Sequence, residues 1–191
     1  MKEIEGDLVK MFKEGKLDVI AHGCNCYATM GAGIALTIGN EFPEAQIADL
    51  ELEIPNGYKR LGKLSYAATY IEKNPHYSEP VIFNLYTQLN PGRDFRIIAF
   101  RKALHAMKRT IRKEMSYMDY SENRKGKLTF KPNEIRVGFP LIGCGIAGGD
   151  WNEVRAILME EFAEYDLTLV HFTQKVIGVN YFPRQKFKQQ K

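Results

Sequence analysis

Residues 17–41 read LDVIAHGCNCYATMGAGIALTIGNE, and this stretch decides the fold. Leu17–His22 has the length and apolar content of a buried strand. A glycine-rich loop follows from Gly23 to Gly33, after which Ile34, Ile38 and Phe42 recur at i, i+4 and i+8 and predict a helix over Gly33–Glu41. Strand, glycine loop and helix form the repeating unit of an α/β layer protein. The unit recurs further along: Ile135–Phe139 predicts a strand, Gly143–Gly149 (GCGIAGG) a second glycine loop, and Trp151–Tyr165 a helix with Val154, Ile157, Leu158 and Phe162 on one stripe.

The other elements fit the same scheme. Strands are expected at Lys2–Glu5, Leu64–Tyr70, Val81–Tyr86 and Leu167–Phe172, each bounded by turn-forming residues. A short helix over Leu8–Glu14 follows Asp7, and Arg96–Lys113 carries Ile97, Phe100, Leu104, Met107 and Ile111 on one face. Such helices would cover both faces of a mostly buried sheet. The polar stretch Met115–Asn133 breaks the pattern and reads as a surface insertion, about residues 115–134, before the strand at Ile135. Neither an internal repeat nor a low-complexity segment is present.

Composition agrees with one soluble domain. The chain has 191 residues, 45% of them hydrophobic and 26% charged, a length that buries roughly 70% of its unfolded surface without disulfide or metal staples. Three cysteines, two of them only two apart at Cys24 and Cys26, point to reduced thiols. The opening residues Met1–Glu5 carry no apolar core of a signal peptide, and no apolar run approaches the roughly 18 residues of a membrane span. A cytoplasmic monomer that does not engage membranes is the expectation. The net charge of +4 is misleading: no acidic residue follows Asp166, so the five later cations (Lys175, Arg184, Lys186, Lys188 and Lys191) leave residues 1–166 at −1. The segment 173–191 reads as a basic, solvated tail, and a nucleic-acid binder would carry its basic face on the fold itself.

The two glycine loops carry the chemistry. Both follow strands and precede helices, and in open α/β sheets ligands bind at the carboxyl ends of strands. Glycines let backbone N–H groups approach a ligand, and helix N-termini present partial positive charge, so two such loops suit a phosphate or diphosphate. No G-x-x-x-x-G-K-[ST] is present, which excludes an NTPase P-loop; Gly143-x-Gly145-x-x-Gly148 fits G-x-G-x-x-G but lies before the last helix rather than after the first strand. Asp7 ends the first strand, where its carboxylate could accept from an exocyclic amine or cap the next helix.

These residues resemble the macro domain family, whose members bind ADP-ribose. The resemblance rests on Gly6-Asp7-Leu8, on Ala21–Asn25 followed by Met30–Ala35, and on Pro140–Trp151, in order over about residues 1–172. His22-x-Cys24-Asn25-Cys26 and the polar insertion look most like the branch of ADP-ribose 1''-phosphate phosphatases. The resemblance implies a three-layer α/β/α sandwich with a mixed central sheet, with 1–172 as the macro domain. It implies that Asp7 holds the adenine amine, Asn25 the distal ribose, and the loops Gly31, Ala32, Gly33, Ile34, Ala35 and Gly143, Cys144, Gly145, Ile146, Ala147, Gly148 the diphosphate and distal ribose, with Leu8, Gly23 and Met30 as further ligand-binding residues. A related branch that cleaves ADP-ribose from glutamate or DNA bases uses a lysine after the fourth strand and, in some members, an aspartate in the second loop. Here Gln88 and Ala147 stand at those places, and an amide cannot attack an anomeric carbon. The aromatic over the adenine is open between Phe172 and Tyr181.

His22 is the expected proton donor, its ordinary pKa lying near 6.5; a structural imidazole is the alternative. Asp150 is a candidate general base, although Asp150-x-x-Glu153 also spells a capping box for the helix at Trp151. His22, Cys24, Cys26 and Cys144 match zinc in number, but their spacing is tighter than zinc sites use, and neither a metal nor a cofactor is expected. The leading expectation is a phosphatase acting on ADP-ribose 1''-phosphate. A non-catalytic ADP-ribose reader and a water-based ADP-ribosyl hydrolase of modified protein or nucleic acid are the alternatives.

Overall fold

The computed structural model describes residues 1–72, 79–114 and 131–172. Six strands form one sheet: β1 (Lys2–Gly6), β2 (Val19–Asn25), β3 (Leu64–Ala68), β4 (Val81–Gln88), β5 (Arg136–Phe139) and β6 (Asp166–Phe172), in the order β1-β6-β5-β2-β4-β3. All neighbours are parallel except β3, which runs antiparallel to β4 at the edge. The sheet is therefore mixed, as the resemblance implied.

Helices lie on both faces because the strands are apolar on both sides. Val19 and Ala21 of β2, with Phe83 and Leu85 of β4, pack against α4 (Ile97–Glu114) and α5 (Trp151–Glu161), where Phe100, Leu104, Met107, Val154 and Leu158 are fully buried. Ile20 and Ile82 point the other way, to α1 (Leu8–Lys13), α2 (Gly33–Glu41) and α3 (Pro43–Leu50), through Leu8, Phe12, Ile38, Phe42 and Ala45. This alternation is the period-two geometry of a strand, and it makes three layers.

Two details differ from the reading of the sequence. β2 runs on to Asn25, so Gly23, Cys24 and Asn25 belong to the strand end and not to the loop. Helix α3 has no counterpart among the expected elements. Pro43 opens it, and the residues it buries are Ala45 and Asp49; an aspartate on the inward face hides the apolar period. Most of the 115–134 insertion, residues 115–130, and the basic tail 173–191 lie outside the described residues. Pro132–Glu134 forms a short 3₁₀ turn leading into β5.

Candidate functional site

The connections leaving β2 and β5 depart to opposite faces: β2 leads to α2 on one face and β5 to α5 on the other. Because β2 and β5 are neighbours, a crevice opens between the two exits at the strands' carboxyl ends. A cleft of about 360 Å³ lies there, within the range of small-molecule sites. One wall is Gly23, Cys24 and Asn25 with Thr29 and the stretch Gly31–Ala35; the opposite wall is Pro140–Gly143 and Gly145–Ala147; Gln88, Pro91 and Gly92 complete it.

The first wall ends in an uncapped helix N-terminus. α2 begins at Gly33, and its N-cap Ala32 makes no side-chain cap hydrogen bond. The first-turn N–H groups of a helix have no acceptor within it, so those of Gly33, Ile34 and Ala35 are available at the cleft edge. In contrast, α1 and α5 are each capped by an aspartate, Asp7 accepting from Lys10 N–H and Asp150 from Asn152 and Glu153 N–H. At Gly31, Gly33 and Gly145 an added Cβ would meet nothing within 4 Å, so these positions face open space.

Other glycines serve a different purpose. A Cβ at Gly143 (φ +73°) would stand 2.2 Å from Phe95 Cδ2, and one at Gly148 (φ +76°) would stand 2.7 Å from Arg93 Cγ. Here glycine lets the β4–α4 loop lie directly on the β5–α5 loop, a contact also tied by Phe95 N–H donating to Ala147 O at 3.1 Å. The β4–α4 loop is itself held by Asp94, whose carboxylate accepts from the backbone N–H groups of Asn90 and Leu89 and from Arg96. These bonds, the Asn90 N–H first, hold its pKa below the usual carboxylate value.

The structure gathers eleven of the expected ligand residues on the cleft: Gly23 and Asn25, Gly31 through Ala35, and Gly143, Gly145, Ile146 and Ala147. Five stand elsewhere. Leu8 (2% exposed) and Met30 (6%) are core residues beneath α1 and α2. Asp7 caps α1 outside the cleft lining, and Cys144 and Gly148 belong to the second glycine loop without lining the cleft. Asn25 lines the cleft but uses its amide locally, Nδ2 donating to Thr29 O and Thr29 Oγ1 and Oδ1 accepting from Tyr27 N–H. It braces the loop that carries Gly31–Gly33. Gln88 donates to Asn90 O and Gly92 O and likewise shapes its loop.

The expected proton donor is not at the cleft. His22 lies two residues after Ile20 and therefore faces the α1–α3 layer, where it is fully buried. Burial drives its pKa down to about 4, against the opposing effect of its bond to Asn84. Cys24, which does line the cleft, has its thiol pKa pushed up by burial, and burial holds Cys144 at about 11; neither is a thiolate nucleophile. Asp150 serves as an exposed helix cap. Among the described residues no three His, Cys, Asp or Glu side chains converge as a metal site.

Lining residues not expected as ligand contacts are Cys24, Thr29, Gln88, Pro91, Gly92 and the strand exit Pro140–Ile142. Pro91-Gly92 spells a turn, but nothing local says that the turn meets the β2 loop. One buried polar group near the site has no partner among the described residues: Thr87 Oγ1, which lies 2.9 Å from where a Gly23 side chain would begin.

No protein-family model matches the chain. A relative from Enterobacteria phage T4, an uncharacterized 17.5 kDa protein from the tk-vs intergenic region, is 32% identical over 170 residues, covering 89% of this chain and 95% of the relative. The ADP-ribose 1''-phosphate phosphatase of Saccharomyces cerevisiae is 25% identical over 169 residues, 84% of this chain and 91% of that protein. Among solved structures, the macrodomain of Thermus aquaticus DarG superposes with a TM-score of 0.62 at 17% identity, covering 91% of this chain and 97% of that one.

Proposed function

Because this chain belongs to the macro domain family, we propose that its cleft binds ADP-ribose and that its reaction is release of the phosphate from ADP-ribose 1''-phosphate. The observation that carries the binding half is the cleft itself: an uncapped helix N-terminus and an open glycine loop face each other across a switch point in the sheet. Support for the chemical half comes from the likeness to the yeast phosphatase over most of both chains.

The wall also narrows the chemistry. Cys24 is the only titratable side chain among those lining the cleft, so no described carboxylate, imidazole or amine touches a bound ligand in this arrangement. Phosphoryl transfer tolerates this better than most reactions, since its loose transition state asks mainly for positioning and for donors around the spreading charge. The anomeric hydroxyl that departs is more acidic than an ordinary alcohol and leaves with less protonation. In this reading the N–H groups of Gly33–Ala35 hold phosphate oxygens, Asn25 and Thr29 keep that loop in place, and water is the nucleophile. Gln88 and Ala147 offer neither amine nor carboxylate for attack on the anomeric carbon.

The same lack of titratable groups favours a second reading, a module that binds ADP-ribose without turning anything over. Phosphate release from ADP-ribose 1''-phosphate with chelator present, alongside calorimetry with ADP-ribose, separates the two. Release by the native protein supports the phosphatase. Binding without release leaves the reader, or a different scissile bond that modified protein and DNA substrates would reveal.

A further inference from the structure

The three stretches that form the cleft are nearly free of charge. Residues 23–35 and 140–149 contain no Asp, Glu, Lys or Arg, and residues 88–96 contain three: Arg93, Asp94 and Arg96. Arg96 is bound to Asp94, Nε to Oδ1 at 3.0 Å, and Asp94 is further satisfied by backbone N–H groups. The exposed Arg93 has no ion-pair or hydrogen-bond partner among the described residues, although six of the other seven described arginines have a carboxylate. One uncompensated positive charge therefore stands on the loops of an otherwise neutral cleft.

Its position is built. Arg93 is not itself one of the lining residues; it directly follows Pro91 and Gly92, which are, and its stem lies on Gly148, next to Ala147 of the opposite wall, at the edge of the cleft. A Cβ at Gly148 would fall 2.7 Å from Arg93 Cγ and 2.9 Å from Nε, so the glycine supplies the space that the stem occupies. Phe95 N–H on Ala147 O fixes the same loop contact two residues on. A guanidinium offers five N–H donors in a planar fork matched to phosphate oxygens.

We infer that Arg93 is the cleft's specificity residue for a phosphomonoester on the ribose of the bound ligand, the group that distinguishes ADP-ribose 1''-phosphate from ADP-ribose. This rests on the ADP-ribose reading of the cleft. The helix N-terminus offers partial charge to any phosphate, whereas Arg93 adds a full charge at the rim where the β4–α4 and β5–α5 loops meet.

The test is calorimetry of ADP-ribose and ADP-ribose 1''-phosphate on the native protein, Arg93→Gln and Arg93→Lys, with catalysis halted by low temperature or followed separately, and with melting temperatures to confirm folding. Arg93→Gln keeps a stem on Gly148 and removes the charge. The ratio of the two affinities is expected to fall about 10- to 100-fold in Arg93→Gln, the worth of a charge-assisted hydrogen bond to phosphate. It should fall less in Arg93→Lys, which keeps the charge without the fork. In the native protein the ratio should shrink as salt rises. A ratio within twofold of native in Arg93→Gln overturns the assignment, and so does an equal loss for both ligands, which would place the guanidinium on the diphosphate. If the native protein binds neither nucleotide, the reading of the cleft fails and the inference fails with it; if it binds ADP-ribose and only the ratio test fails, Arg93 alone is misassigned.

Discussion

His22 Nε2 lies 2.7 Å from Asn84 Oδ1, across the β2–β4 pair and away from the cleft. Asn84 Nδ2 donates to Ala45 O and to Ser65 Oγ, so its oxygen must be the acceptor and Nε2 must carry the proton. Burial, which lowers the His22 pKa to about 4, keeps the ring neutral near pH 7, with Nδ1 facing the Cys24 thiol at 3.6 Å. The bonds continue from Ser65 through Tyr86 to Asp49, where Arg60 pairs with the carboxylate. A buried polar chain thus pins α3 and the segment after it to the sheet, directly beneath the strand end that carries Cys24 and Asn25.

The neutral ring makes stability depend on pH. With a folded pKa of about 4 and an unfolded value near 6.5, the unfolded chain binds more protons between these limits. Stability contributed by neutral His22 is therefore complete above about pH 6.5 and is lost as pH falls toward 4, by about 3 kcal/mol. Urea unfolding of the native protein and His22→Gln from pH 4 to 7.5 should show the difference between them shrinking as the solution becomes acid. A difference independent of pH would refute the buried neutral ring.

Arg60 is 3% exposed and donates to Asp49 Oδ1 and to the backbone carbonyls of Asp49, Leu52 and Ile54. Arg60→Met would strand these acceptors and leave Asp49 buried without its cation, a loss of about 3–5 kcal/mol. Burial already raises the Asp49 pKa, with Tyr86 and Arg60 opposing that rise. Adding Asp49→Asn to Arg60→Met should cost much less than it does alone, because the two act as a unit. Denaturant midpoints of the four proteins check this; additive losses would mean the pair is not coupled.

The contact of Phe95 with Gly143 yields a similar cycle with a functional readout. Gly143→Ala drives a methyl into the Phe95 ring at a backbone φ of +73°, and overpacking of this kind costs about 1–3 kcal/mol. The loop carrying Gly145–Ala147 must shift, so ADP-ribose affinity should fall at least tenfold together with the melting temperature. Phe95→Ala in the same chain should recover part of the stability lost to Gly143→Ala. If Gly143→Ala binds as the native protein does, the two loops are not locked to each other.

Much of this molecule was legible in its residues. All six strands and the helices α1, α2, α4 and α5 overlap the places where apolar period and glycine punctuation put them, β2 running three residues further to Asn25, and buried Phe100, Leu104, Met107 and Ile111 are the stripe read from α4. Helix α3 escaped because its inward face carries Asp49, whose partners Arg60 and Tyr86 lie outside the helix, 11 and 37 residues further along the chain. A period search sees only apolar residues and cannot know that a charge will be paired.

The sequence by itself determined that two glycine loops follow two strands, and so that backbone N–H groups would gather at one end of a sheet. Local patterns suffice for this, because strand, turn and helix are set by residues within one or two turns of each other. Tertiary structure alone decided what each residue near those loops does. Strand alternation, together with the helices that cover each face, turned His22 away from the cleft and into a neutral core bond, and the crossing of two loops made Gly143 and Gly148 seats for Phe95 and Arg93. Those outcomes depend on contacts between segments about 50 residues or more apart, where space and partners, not spacing along the chain, set the role of a side chain.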